Sequence, residues 1–550
     1  LSKPGSSFCD RQQPFSFSAK RLKTIAEIKN PSIDGFPHRI VAALGENARP
    51  DHFPDTLSAR VGPMALPGYI VDLARLEWRL HQTQSLALDL PSRINHAMVN
   101  PTLTILESPW KHLAELIRMN ADGVTPIEEP SHVIIWKHPQ TGALHYEEAK
   151  PIDLLALKLI VEQIDPKAVA PLGNGNATPG DLQHAIDQAV TQGMLLSPGS
   201  RIHRTAFREN RVDPCFEPFL TTDVFTLQWH ITQHCDLHCK HCYDRSDRAA
   251  MSEAEAMKVL ADLFDFCRHM HVRGQVTFTG GNPMLYPHIE CIYRAATQYG
   301  FGIAILGNPG PIDDIRRLKK IAQPLYFQVS LEGLASHNDV IRGKGHFDRT
   351  IRFLEQLRGL GIFTMVMLTL TQDNLDQILP LAADLKNRVD AFNFNRLSAV
   401  GEGATLAMVD REKFATFLQE YLSAAEGNPI MGLKDNLFNI IRHESGHPPI
   451  GGCTGHGCGA AFNFLALLPD GEIHACRKFP SPLGNILDTS LIDIYHRRAA
   501  ERYRAGSLAC GQCRLNPVCR GCMAVSHSLG LDIFNDKDPF CFFSCQVTPA

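Results

Sequence analysis

The sequence of 550 residues is 44% apolar and 20% charged and carries a formal net charge of −4. That length calls for several domains, the composition is that of an ordinary globular protein, and the slight acidity excludes a global attraction to nucleic acid or anionic membranes. No uninterrupted apolar run reaches roughly 18 residues and no charged-then-apolar leader is present, so neither a membrane span nor a secretory signal is expected, and a cytoplasmic location is. Sixteen cysteines would suit a disulfide scaffold only in a small secreted chain. Here Cys9, Cys215, Cys267 and Cys291 are scattered and read as small buried hydrophobes, while the others cluster at 235–242 and 453–545.

Residues 1–115 read as a helical domain, in which Ile70, Leu73, Leu76 and Leu80 recur at helix-face spacing behind Pro67. The pattern changes over 116–200. Val133-Ile134-Ile135-Trp136 and Gly142 to Tyr146 flank Pro139-Gln140-Thr141-Gly142 as a hairpin, and helical runs follow near 152–163 and 179–192. A hairpin followed by small helices is a winged-helix-like order. It resembles leader-peptide recognition domains, in which a substrate segment adds as a strand to an open edge; a DNA-binding winged helix or a structural module fits the same pattern. Arg201, Arg204, Arg208 and Arg211 mark 201–220 as a solvated basic linker.

From 221 to 400 strand and helix alternate. Apolar runs at 225–231, 275–279, 301–306, 326–331, 364–370 and 392–397 are separated by helical stretches such as 252–268, entered through Ser252-Glu253-Ala254-Glu255 as cap and acidic first turn. Six strand-helix units predict an α/β fold, a partial (β/α)6 TIM-type barrel with its site at the C-terminal strand ends. The unusual motifs lie there. Cys235, Cys239 and Cys242 follow the first strand at spacing C-x3-C-x2-C. Three thiolates on one short loop can hold three irons of a cubane and leave the fourth open; His234, His238 and His241 keep a zinc site as the alternative.

On these residues the stretch from Phe225 to the C-terminus resembles the radical S-adenosylmethionine enzymes. The resemblance implies a 4Fe-4S cluster that binds S-adenosyl-L-methionine at its open iron and yields a 5'-deoxyadenosyl radical that abstracts hydrogen from substrate. It also implies cofactor contacts from Gly280, Gly281, Asn282 and Pro283 after the second strand, Ser330 toward the ribose and Arg342 toward the cofactor carboxylate. Asn282 stands where the family has an acid, which puts any carboxylate contact there in doubt.

After a helical connector at 401–450, residues 451–550 carry Cys453, Cys458, Cys476, Cys510, Cys513, Cys519, Cys522, Cys541 and Cys545. This region resembles the SPASM domain of radical enzymes that modify peptides and proteins, which implies two auxiliary 4Fe-4S clusters. By that resemblance Cys453, Cys458, Cys476 and Cys522 hold the first and Cys510, Cys513, Cys519 and Cys541 the second, with Cys545 as the alternative last ligand. Zinc remains the other filling. The layout is similar to maturases of selenocysteine- or cysteine-containing peptides, which implies a precursor peptide or protein substrate and a flavodoxin- or ferredoxin-type electron donor, with no nucleic-acid or membrane partner. No residue spacing singles out a general acid or base. A radical enzyme acting on RNA and a non-catalytic metal-containing binding protein are the rival readings.

Overall fold

The computed structural model describes residues 67–118, 124–169, 177–204 and 213–543, with Ser58 alone before them. Its described part divides into two compact units that meet in sequence near residue 198.

The first unit is built on a three-stranded antiparallel sheet in the order β2-β3-β4, from Thr104–Lys111, Ile127–Lys137 and Leu144–Glu148. A two-stranded pair, β1 (Met98–Val99) with β5 (Leu195–Leu196), accompanies it. The continuous apolar run in β3 is explained by burial on both faces, since successive strand side chains point to opposite sides. Val133 and Ile135 pack with Ile70, Leu73, Leu76 and Leu80 of the helix Ile70–Ser85. Ile134 and Trp136 pack with Leu157 of the helix Pro151–Val161 and Leu182 and Ile186 of the helix Pro179–Thr191. The sequence boundary at 115 is corrected by this sheet: β2 lies before it and pairs with β3 beyond it, so one core spans both proposed domains.

The second unit carries a nine-stranded sheet in the order β11-β10-β9-β8-β7-β6-β12-β13-β14. Six strands are parallel and sequential: β6 Val224–Thr232, β7 Arg273–Gly280, β8 Gly302–Leu306, β9 Tyr326–Ser330, β10 Thr364–Leu370 and β11 Ala391–Arg396. The helix Glu253–Met270 starts where its cap predicts, with the Ser252 side chain accepting from the Glu255 N–H, and ends at His271 in the left-handed region. What the strand pattern did not disclose is β12 (Phe464–Leu467), which pairs parallel with β6 and leads into β13 (Glu472–His474) and β14 (Pro482–Asn485). The cysteine-rich region therefore continues the parallel sheet.

Period-two alternation sorts the strand residues by task. Phe225, Leu227, Trp229 and Ile231 of β6 are buried in the main core, as are Phe327 and Val329 of β9. The intervening Gln228, His230, Gln328 and Ser330 line cavities instead. Leu465 of β12 is fully buried in the same core. Leu465→Ala is expected to cost about 2–5 kcal/mol, seen as a lower unfolding temperature of the parallel sheet as well as of the cysteine-rich region in hydrogen-exchange measurements.

Candidate iron-sulfur and cofactor site

The three-cysteine loop is held from below by backbone. The Gly281 N–H donates to the Thr232 carbonyl at 2.8 Å and the Asn282 N–H to the His234 carbonyl at 2.7 Å. These bonds require glycine: a Cβ on Gly280, where φ is +125°, would meet the Thr232 carbonyl at 2.2 Å, and one on Gly281 would meet that of His234 at 2.2 Å. Asn282 is buried, and its Nδ2 donates to Asp236 Oδ1 at 3.0 Å. Asn308 Nδ2 donates to the same oxygen at 2.7 Å and lies 3.5 Å from the Cys235 sulfur. An amide at 282 is thus matched to a carboxylate at 236, where an acid would set two carboxylates face to face. Asp236 had no signal in the sequence beyond its place inside the cysteine motif.

Cys235, Cys239 and Cys242 line a cavity of about 410 Å³ together with Gly280, Gly281, Ser330 and Arg342. Asn282 and Pro283 are not among its lining residues. Arg342 is engaged within the chain. Its Nε and Nη2 donate to Glu332 Oε1 at 2.8 and 2.6 Å, so the carboxylate it pairs with is supplied by the chain, while Nη1 lies 3.5 Å from the Cys239 sulfur. Glu332 Oε2 accepts from the Thr369 N–H at 2.8 Å. Burial pushes the Glu332 carboxyl up, but His241, Arg342 and the Thr369 amide outweigh it and hold it below the ordinary glutamate range. Burial raises the Cys239 thiol, against the pull of Arg342.

A second cavity of about 270 Å³ is lined by Cys453, Cys458, Cys476 and Cys522. The two cavities share seven lining residues: His241, Tyr243, Leu306, Gln328, Ser330, Arg342 and Arg477. Arg477 lies over the Tyr243 ring at 4.7 Å and donates to Thr279 Oγ1 at 2.8 Å, and the Tyr243 hydroxyl is 3.4 Å from His230 Nε2. Sequence reasoning missed Tyr243 and Arg477, although each adjoins a cysteine it had singled out.

Cys510, Cys513, Cys519 and Cys541 line a third, narrow space of about 20 Å³. Cys545 lies outside the described residues, as does Cys9. Of the other scattered cysteines, Cys267 is buried, Cys215 is exposed and Cys291 donates to Glu253 Oε1 at 3.1 Å. The two C-terminal sets are tied by Asp538. Its Oδ2 accepts from the Cys522 N–H at 2.8 Å, its carbonyl accepts from the Cys541 N–H at 2.9 Å, and its carboxylate pairs with Arg396 Nη1 and Nη2 at 2.9 and 2.7 Å. Arg396 ends β11 and also donates to Asp435 Oδ2 at 2.7 Å.

Among the described residues, no three His, Cys, Asp or Glu side chains converge on a single-ion site. The thiols instead ring spaces, and in each set they are the dominant ligand type, which is the donor chemistry of iron-sulfur clusters. Burial pushes the thiols of Cys458 and Cys476 up to about 11 and about 12, so filling such a site exchanges protons for metal.

A parallel α/β sheet with a three-thiol loop at its strand ends, joined to a region with two further thiol sets, defines an iron-sulfur protein. Residues 229–385 match the radical SAM superfamily model and residues 458–523 match that of the SPASM iron-sulfur cluster-binding domain. Mycofactocin maturase MftC of Mycolicibacterium smegmatis is 30% identical over 334 residues, 57% of this chain and 82% of that protein. The antilisterial bacteriocin subtilosin biosynthesis protein AlbA of Bacillus subtilis is 28% identical over 282 residues, 49% of this chain and 58% of its own length. An AdoMet-dependent heme synthase of Oleidesulfovibrio alaskensis is 24% identical over 353 residues, 59% and 88%. The chain belongs to the radical SAM superfamily, with a SPASM iron-sulfur cluster-binding domain.

Gly281→Ala is expected to displace the three-cysteine loop, lowering iron in anaerobically reconstituted protein from about twelve per chain to about eight, as measured by iron and sulfide analysis. Asp538→Ala leaves Arg396 short of one carboxylate and frees the amides of Cys522 and Phe540, which donate to the Asp538 side chain. It should cost about 3–5 kcal/mol and reduce C-terminal iron while the iron at Cys235, Cys239 and Cys242 persists, a pattern readable by electron paramagnetic resonance.

Proposed function

We infer that this enzyme modifies a ribosomally made peptide or protein, bound in the space between the two cysteine-lined cavities. The chemistry that the cluster and the sulfonium cofactor supply when bound is reductive cleavage to a 5'-deoxyadenosyl radical, able to take hydrogen from an unactivated carbon. The chain's residues set the stage. In this reading Cys235, Cys239 and Cys242 hold the cofactor cluster. Asp236, clamped by Asn282 and Asn308, orients the loop at Cys235, and Glu332 fixes Arg342 beside Cys239. Leu306 gives both cavities an apolar wall, and Met367, Phe394 and Phe464 give one to the second, which excludes water. Cys453, Cys458, Cys476 and Cys522 hold one auxiliary cluster, and Cys510, Cys513, Cys519 and Cys541 the other.

The six parallel strands serve as a partial (β/α)6 barrel, and the first unit as a winged-helix-like recognition module for the precursor. An electron donor of flavodoxin or ferredoxin type, a cytoplasmic location and the lack of a nucleic-acid partner belong to the same reading. Among the described residues no helix is long and apolar enough to cross a membrane.

The observation that carries the peptide reading is the edge of β2. The Ala149 N–H donates to the His132 carbonyl, and hydrogen-bonded pairs alternate along an antiparallel ladder. His132 and Ile134 therefore turn their backbone groups toward β4. Their partners across the other ladder, Glu107 and Ile105, then turn theirs outward. Ile105 is 43% exposed. Such an edge accepts an added strand. The similarity to a bacteriocin biosynthesis protein supports this reading, whereas the similarity to a heme synthase favours a tetrapyrrole as the second one.

The test is a precursor peptide encoded beside the gene, incubated with the reconstituted enzyme. Proline at Glu107 or at Leu144, on the two sheet edges, is expected to reduce peptide mass change at least tenfold on one edge while 5'-deoxyadenosine release without peptide is unchanged. Full peptide modification by both variants would sink the recognition role. Turnover of a tetrapyrrole and of no peptide would establish the second reading.

A further inference from the structure

Arg204 was expected in a solvated linker, yet it is only 6% exposed. Its Nη2 donates to the carbonyls of His456 and Cys458, each at 2.8 Å, and its Nη1 to that of Arg504 at 3.4 Å. The plane of the guanidinium lies over the Phe462 ring at 4.0 Å. Among the described residues its Nε has no hydrogen-bond partner, and no carboxylate pairs with it. A cation buried without an anion carries an uncompensated desolvation cost.

The anion this arginine lacks is the one that Cys458 would help to hold. Four thiolates around a cubane form an anionic group, and Cys458 shares its cavity with Cys453, Cys476 and Cys522. We propose that Arg204 is the electrostatic counter-charge of the auxiliary cluster at Cys453, Cys458, Cys476 and Cys522, and that it sets this cluster's reduction potential. A one-electron reduction adds negative charge to the cluster, so a fixed cation beside it favours the reduced state and raises the potential. The outcome is an auxiliary cluster biased to accept an electron. The proposal rests on the cluster reading of that cysteine set. It assigns Arg204 a positioning and tuning role, since no substrate or reacting atom touches it.

The experiment uses the full chain carrying Cys235, Cys239 and Cys242 all replaced by Ala, so that the remaining iron is auxiliary. Anaerobically reconstituted parent, R204Q and R204K are titrated with dithionite, which supplies the electron, and followed by electron paramagnetic resonance. The expected result is that one auxiliary signal of R204Q titrates at a more negative potential while its other signal and both signals of R204K stay near the parent. If R204Q loses one cluster's iron while R204K retains it, a requirement for the positive charge is likewise established. Both auxiliary clusters present in R204Q at unshifted potentials would overturn the proposal. Equal loss of iron in R204Q and R204K would also overturn it, because the guanidinium would then act through its hydrogen bonds to the carbonyls. A parent without auxiliary iron-sulfur clusters would remove the cluster reading itself, a result that iron and sulfide analysis separates from the others.

Discussion

Two backbone hydrogen bonds organise the catalytic unit: Gly281 N–H to Thr232 and Asn282 N–H to His234. They draw the end of β7 against the loop that leaves β6, so closely that no side chain fits at 280 or 281. The three thiols then line a cavity whose other walls include Leu306 of β8 and Gln328 and Ser330 of β9, with Arg342 beside Cys239. The far side of the loop is held by two further main-chain bonds, from the Glu402 N–H to the Cys242 carbonyl at 2.9 Å and from the Lys240 N–H to the Ile341 carbonyl at 3.1 Å. The Asp236 clamp adds to it, since Asn282 donates both its N–H to His234 and its side-chain amide to Asp236.

Charge is managed differently at the three thiol sets. Beside Cys239, Arg342 is neutralised within the chain by Glu332, and the pair is held by Thr369 and His241. Between the two C-terminal sets, Arg396 is shared by Asp435 and Asp538, and Asp538 also accepts from the amide of Cys522. Near Cys458, Arg204 meets carbonyls and an aromatic face, and among the described residues no carboxylate. Buried guanidinium groups thus accompany every group of cysteines, but the share of anionic charge supplied by protein carboxylates differs. Since a charge buried without compensation is costly, that difference separates cations balanced by the fold from one whose balance must come from the site.

The continuation of the sheet through β12 gives the cysteine-rich region a structural role beyond ligand supply. Phe464 lines the second cavity while Leu465 enters the core beneath it. One short strand therefore faces both ways, and Cys458 before it and Cys476 after it in sequence line the same cavity as Phe464. The cavities that share Tyr243 and Arg477 arise from that placement.

The sequence by itself determined the alternation of strand and helix over 224–396 and the place of the three-cysteine loop directly after the first of these strands. These follow from local periodicity and short spacings, which a single stretch of chain carries. Gly280 and Gly281 were legible as a sharp turn, but the carbonyls they accommodate belong to another strand. Only the tertiary structure decided that β2 joins the sheet across residue 115, that β12 extends the parallel sheet, that Glu332 takes the guanidinium of Arg342, and that Arg204 is buried beside Cys458. Glu332 and Arg342 are ten residues apart and meet across a strand-end turn, while the others depend on partners distant in the chain, 254 residues in the case of Arg204 and Cys458. A charged residue in a polar stretch has the same local signature whether solvent or a buried carbonyl receives its hydrogen bonds, so periodicity and composition cannot distinguish the two.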